Sequence, residues 1–495
     1  MKLNKPFKLN LIMACTTLAL ASMTQFASAE EAATDEYTFI DSVKQGKPLT
    51  SFRLRYEEVQ QDGLQPPRIV GKQVNPTQLK DLKDAEGVTL RSLIGWQSAP
   101  FHNFSIAGQL INVSKFNDDF NDSTNGTLIN SLSNQPNKVQ YAKIVDPDYT
   151  DINQLFVDWT GIKNTRLRLG RQQINLDNVR FIGDIGFRQV MQVYDGGTVL
   201  NKSIPDTEIY VGHIERVKQI TTKLRSDGAL EIANIKYRIS PTESLVGYGY
   251  LSSFEDLGFG RSWFGNAGVA GTATEKTAGK AQGKNGFNNN AADQGNKIFG
   301  ARLDGVRKID DDWKVLYTAE YAKQTDYHGG DSRIDAHYYK LGGGAAYGNF
   351  TLRADQELLS SNNGKYAFQT PFGTNHLFQG WVDKFLTTPL EGLEDSFITA
   401  NYKYNDFLFF ADYHVFKSDK KFNTVGGGTG DQYGTEWNAA VTYNVNKNVM
   451  TKLEYGHYSE DDHYALLRTP GNAVADNRGR IRDTEKLWLT AMYTF

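Results

Sequence analysis

The chain has 495 residues, with 54 Lys+Arg against 57 Asp+Glu and a formal net charge of −3. That slightly acidic balance excludes the basic footprint of a nucleic-acid-binding protein. Mean hydropathy is −0.50, yet aromatics make up 12 % and there are 46 glycines against 13 prolines. Soluble secreted proteins share such a composition with barrels whose strands alternate apolar and polar residues.

Lys2, Lys5 and Lys8 precede an apolar run from Leu11 to Ala21, and Ala27-Ser28-Ala29 supplies small residues for cleavage. This pattern predicts a signal peptide over 1–29, with the mature chain starting at Glu30. The apolar run is too short to span a bilayer as a helix. Cys15, the only cysteine, falls inside it. A lipoprotein reading, with cleavage just before Cys15, leaves an apolar core of only a few residues and is the weaker one. The mature chain is then free of thiols, disulfides and cysteine metal sites, and about six charges negative.

Beyond the leader, period-two alternation recurs. Trp313, Val315, Tyr317, Ala319 and Tyr321 face one way, and Lys314, Thr318, Glu320 and Gln324 the other. Successive strand side chains point to opposite faces, so each such segment has one apolar and one polar wall. About 18 segments qualify: near 51–59, 86–96, 102–113, 151–160, 164–172, 188–198, 206–216, 227–239, 243–253, 296–307, 313–324, 333–346, 348–360, 395–404, 407–418, 433–444, 448–459 and 483–495. Most have the length a tilted strand needs to cross the hydrocarbon layer.

Connections alternate short and long. Ser98-Ala99-Pro100, Gly161-Ile162-Lys163, Ser240-Pro241-Thr242, Asp310-Asp311-Asp312, Asn405-Asp406 and Asn446-Lys447-Asn448 carry the residues tight turns demand. Long connections fall near 60–85, 114–150, 254–295, 361–394 and 460–482. The rhythm predicts an all-β fold: a transmembrane antiparallel up-and-down barrel over 30–495, with short periplasmic turns and long extracellular loops. The segment 254–295, rich in Gly, Asn, Ala, Lys and Thr, cannot bury a core and is expected to be an external loop. The segment 361–394 holds Phe368, Phe372, Phe378, Trp381 and Phe385, more rings than a solvated loop carries, and is expected to pack into the barrel mouth.

With the apolar face toward lipid, Arg53, Arg55, Arg91, Arg166, Arg168, Lys236, Arg238, Arg302, Lys314, Arg353, Lys403 and Lys452 face the lumen. The acids Glu57, Asp158, Asp304, Glu320, Asp355, Glu357, Asp412, Glu436 and Glu454 join them. Rings of Arg or Lys select anions; the alternative is that these charges pair across neighbouring strands and only solvate the wall. Arg180 and Arg188 sit in a connection that could turn inward, and Asp383 and His376 could stand at a constriction or in a surface aromatic cluster.

Catalytic motifs are lacking. His102, His213, His328, His337, His376, His414, His457 and His463 show no motif spacing, and nothing resembles G-x-S-x-G or H-E-x-x-H. No enzyme, cofactor or metal is expected. Asp118-Asp119-Phe120-Asn121-Asp122 lacks the spaced ligands and closing Glu of a calcium loop, and Gly426 to Gly430 has no Lys to cradle phosphate.

Gly170-Arg171-Gln172, Asn178-Val179-Arg180-Phe181-Ile182-Gly183, Arg188-Gln189 and Tyr194-Asp195-Gly196 resemble the signature of the alginate-export family of outer-membrane channels. Phe368 to His376 and Phe378 to Phe385 look like a second segment of that family, although Phe187 stands where Trp is usual. The resemblance implies an outer-membrane channel of 18 strands with an arginine-lined conduit for anionic sugars. It also fits a terminal strand ending in Phe495, read by the barrel-assembly machinery. Expected partners are outer-membrane lipid, lipopolysaccharide, and small anionic or sugar solutes such as oligosaccharides, uronates or organic acids; nucleic acid is not among them. A general porin, or a closed barrel serving as adhesin or anchor, remains open at this point. Mass spectrometry of the protein recovered from membranes is expected to give Glu30 as the first residue. An intact Met1 or a lipidated Cys15 would exclude the leader assigned here.

Overall fold

The computed structural model describes residues 37–63, 69–70, 73–74, 81–122, 138–257, 293–423, 428–462, 464 and 483–495. The leader 1–29 with Cys15, most of the 254–295 segment, Gly426, Gly427 and His463 lie outside the described residues.

Eighteen long strands form one sheet: β1 (Ser51–Gln61), β2 (Ala85–Gln97), β3 (Phe104–Lys115), β4 (Tyr149–Trp159), β5 (Thr165–Gln172), β6 (Val193–Asn201), β7 (Thr207–Lys218), β8 (Leu230–Ser240), β9 (Glu243–Ser252), β10 (Asn296–Lys308), β11 (Trp313–Asp326), β12 (Asp335–Tyr347), β13 (Phe350–Leu359), β14 (Leu393–Tyr404), β15 (Phe407–Asn423), β16 (Thr429–Asn444), β17 (Val449–Glu460) and β18 (Thr484–Thr494). Each pairs antiparallel with its sequence neighbours. β1 and β18 close the ring in continuous register from Ser51↔Thr494 to Gln61↔Thr484. A sheet closed on itself has no free edge, which is what a strand structure needs inside lipid.

The wall is polar inside and apolar outside, the reverse of a soluble core. On β1, Arg53, Arg55 and Glu57 are buried inward, while Leu54 and Tyr56 alternate with them. Outward side chains include Ile94, Leu110, Leu155, Leu341, Ile398 and Leu453, all exposed. Aromatic pairs ring the short-turn end: Trp313 with Tyr347 at 4.9 Å, Phe407 with Tyr443 at 4.5 Å, and Tyr493 with Phe495 at 4.9 Å. Such amphipathic rings suit the headgroup level at each side of the apolar band.

Local chemistry sets the turns. Asp310 Oδ1 accepts from the amides of Asp312 (2.9 Å) and Trp313 (2.7 Å). Asn446 Oδ1 likewise accepts from Asn448 and Val449, and Asn405 takes φ 50°. These side-chain-to-backbone bonds are why Asp and Asn occupy tight turns. Between β3 and β4 the register shifts after Gln109↔Gln154. The extra residue lets both Asn153 and Gln154 turn inward, each donating to Gln109 Oε1, at 2.7 and 3.0 Å.

Three expected boundaries move furthest. The strand placed at 188–198 begins only at Val193, because Arg188 to Gln192 leave the wall for the lumen. β15 and β16 run on to Asn423 and back from Thr429, extending the hairpin beyond the length needed to cross. The acidic run after β3 is taken up by ion pairs: Lys115 reaches Asp122 (2.8 Å) and Asp118 (3.1 Å), and Lys138 also binds Asp118.

Leu341, mid-strand on the lipid face and 54 % exposed, tests the wall assignment. Leu341→Arg is expected to cost about 2–4 kcal/mol in reversible unfolding from phospholipid vesicles. A cost near zero would place that face in water.

Candidate functional site

Two connections from the long-connection end turn into the barrel: 173–192 between β5 and β6, and 360–392 between β13 and β14. Their apolar residues carry them inward. Phe181 packs against Tyr248 (5.2 Å), Tyr338 (5.4 Å) and Phe368 (6.0 Å). Phe385 packs against Phe416 (4.7 Å) and Tyr433 (5.6 Å). The two segments also bond each other: Gly183 N donates to Phe372 O (2.9 Å), and Thr374 N to Val179 O (2.9 Å). Gly373 permits this approach, since a Cβ there would overlap the Arg180 carbonyl. Val179 and Ile185 are held at φ 58° and 52°, a conformation β-branched residues adopt only when their surroundings impose it.

Where the two segments meet the β1–β18 seam, charges converge. Arg188 Nη1 donates to both carboxylate oxygens of Glu57, at 2.9 and 3.2 Å. Its Nη2 donates to Asp383 at 3.2 Å. Asp383 also faces His376 Nδ1 at 2.8 Å and Lys486 Nζ of β18 at 3.3 Å. Burial opposes the charge on Asp383, but His376, Lys486 and Arg188 outweigh it and hold its carboxyl well below the usual range. The His376 ring stacks on Phe187, and the Arg55 guanidinium lies 4.3 Å from the Phe187 ring.

Beside this knot stand three guanidiniums that donate to carbonyl and hydroxyl oxygens instead of carboxylates. Arg53 donates to Gln189 Oε1 (2.9 Å), Gly186 O (2.7 Å) and Arg188 O (2.5 Å). Arg55 donates to Phe187 O (2.6 Å) and Thr490 Oγ1 (3.3 Å). Arg91 reaches only Gly186 O, at 3.5 Å, and its Nε has no hydrogen-bond partner among the described residues. Arg53 and Arg91 sit directly opposite each other in the β1–β2 register.

The other expected lumen residues divide. Arg168 is neutralised by a bidentate pair with Asp158 (2.7 and 2.8 Å), whereas Arg166 Nε makes no hydrogen bond among the described residues. Arg302 pairs with Asp304. Arg353 forks onto Asp355 at 2.5 and 2.6 Å, in space left by Gly342, where a Cβ would overlap that carboxylate. Arg238 is exposed near the short-turn end, 3.9 Å from Glu208. Arg180 is 1 % exposed, 3.0 Å from Glu357 and 4.6 Å from the Phe378 ring. Sequence reasoning did not single out Gln189, which ties Arg53 to Thr89 Oγ1 (2.8 Å), or Lys486. The Arg188-Gln189 pair was visible, but nothing in it announced a bridge to two strands.

A closed barrel of eighteen strands with an apolar outer wall defines an integral protein of the bacterial outer membrane. Residues 101–204, spanning β3 to β6 and the first inward segment, match the family model described as alginate export. The chain is an outer-membrane barrel that is similar to that family over this stretch. No curated protein matches the sequence. Among solved structures, OccK9 (OpdG) of Pseudomonas aeruginosa is similar over 91 % of this chain and 98 % of its own, at 12 % identity and TM-score 0.59. OccAB2 of Acinetobacter baumannii is similar over 90 % and 98 %, at 13 % identity and TM-score 0.59. OpdK of P. aeruginosa, solved with vanillate, is similar over 91 % and 98 %, at 13 % identity and TM-score 0.57. At these identities the likeness establishes the fold.

Asp383→Ala is expected to destabilise the barrel by about 2–3 kcal/mol, less than a fully dry ion pair because lumen water screens part of the loss. It should also open Lys384 to trypsin. Unchanged urea unfolding and proteolysis would mean that the knot does not hold the second segment in place.

Proposed function

We propose that the chain is a passive, porin-like channel whose constriction favours small anions: organic acids, uronates or anionic oligosaccharides. Its short turns lie in the periplasm, its long connections lie outside the cell, its wall contacts lipid and lipopolysaccharide, and Phe495 marks the last strand for barrel assembly. The observation that carries the anion preference is the Arg53↔Arg91 pair. Like charges opposite each other across strands are destabilising. Here both are buried beneath the inward segment and bonded to carbonyls, with no carboxylate bonded to either among the described residues, so their charge acts on a solute as a field from the lining and not by direct contact. An anion crossing there would be drawn by unneutralised guanidiniums acting in a narrowed, partly desolvated passage. Vanillate, found with OpdK, is a small carboxylate of this kind.

Planar-bilayer reversal potentials under a salt gradient test the reading. The parent is expected to be anion-selective, and Arg91→Glu combined with Arg166→Glu to abolish or invert that selectivity while leaving conductance. An open pore indifferent to the substitutions would be a general porin. A folded barrel that never conducts would be an adhesin or anchor.

A further inference from the structure

The outer wall carries an arrangement that the channel does not use. On β17, His457 Nε2 lies 3.0 Å from Ser459 Oγ, and His457 Nδ1 lies 3.2 Å from Glu485 Oε1 on β18. Hydroxyl, imidazole and carboxylate thus form one continuous chain, with the nucleophile and carboxylate on opposite ring nitrogens. That is the relation by which a serine–histidine–acid triad is recognised, irrespective of sequence order. It is assembled by two strand rules: Ser459 follows His457 by two residues, so both share a face, and Glu485 is the direct cross-strand partner of His457.

Ordinary rim pairs look different. His213 meets Glu231 at 2.7 Å without a hydroxyl on its other nitrogen, and His337 meets Ser360 at 3.0 Å without a carboxylate. Among the described residues, His457 alone joins both. All three side chains are reachable, since His457 is 30 % and Glu485 43 % exposed and Ser459 is half-buried. They lie on the outward face, one register step from the end of the β17–β18 ladder, where Trp437 stands 4.8 Å from Tyr455 and 6.3 Å from His457. Below them the same face continues as Leu453, Leu487 and Leu489. Aromatic rings above an apolar face are what the level between headgroups and acyl chains selects, and that level is where lipid ester bonds lie.

We propose that Ser459, His457 and Glu485 form a hydrolytic site for carboxylic esters of membrane lipids, separate from the pore. Ser459 Oγ attacks the ester carbonyl while His457 Nε2 takes its proton. His457 returns that proton to the departing alcohol oxygen, leaving an acyl-serine. Water then attacks the acyl-serine, with His457 again accepting and returning the proton, and a fatty acid leaves. Glu485 is a positioning residue that holds the Nδ1–H tautomer and offsets the transient imidazolium charge.

The test uses the chain from Glu30, refolded so that no host lipase accompanies it. The substrate is a thioester analogue of phosphatidylcholine in mixed micelles, with released thiol read by a thiol reagent. From Glu30 onward the chain has no cysteine, so there is no protein background. Bilayer conductance confirms folding of every variant. Turnover in the parent that falls at least about 100-fold in Ser459→Ala and His457→Ala supports the proposal. Glu485→Gln should lower kcat with KM unchanged, and Glu485→Asp should recover part of it. A conducting parent without turnover, or turnover that survives Ser459→Ala, overturns it.

Discussion

Inside a bilayer no water is available to backbone amides, so every N–H and C=O along the wall must find a partner in the protein. In this chain the pairing of β1 with β18 meets that demand at the one place where sequence neighbours cannot. The rest of the architecture follows from closing the ring. A closed sheet has an inside and an outside, so each strand must present one polar and one apolar face. A ring of eighteen strands encloses more space than its own wall residues fill. The two inward segments narrow that space, and both are fastened at the seam: the first through Arg188 to Glu57 of β1, the second through Asp383 to Lys486 of β18.

Much of this was legible in the sequence because strand alternation and turn chemistry are local. All eighteen strands were placed, and Asp310, Asn405 and Asn446 marked turns through bonds made within a few residues. The error at 188–198 has a physical cause. Arg188, Gln189 and their neighbours alternate like a strand, but their polar groups are spent on Glu57, Thr89 and Asp146 in the lumen. Alternation reports which side chains differ, not where the backbone is.

The lumen was less legible, because parity assigns a residue to a face without naming its partner. Arg166 and Arg168 are indistinguishable by sequence, yet Asp158 is bonded by Arg168. Arg53 and Arg91 become informative only once the register sets them opposite each other. The same holds on the outer wall. His457 and Ser459 are two residues apart, but Glu485 is 28 positions away, and the sequence gives no sign that the two strands meet there.

The seam also constrains biogenesis. Arg55 and Thr490, which touch across it, are separated by 435 positions. The first strand to emerge is therefore the last to gain its second neighbour, and until then its open edge and charged inner face have no counterpart. Such long-range closure is slow and leaves the edge available to unwanted strands meanwhile. A chain cut short by one terminal strand would lose more than one-eighteenth of its wall: it would be an open ribbon with two sticky borders, and one of the two inward segments would lose its fastening at the seam. Export machinery must therefore shield the leading strand for the whole time the remainder is being delivered.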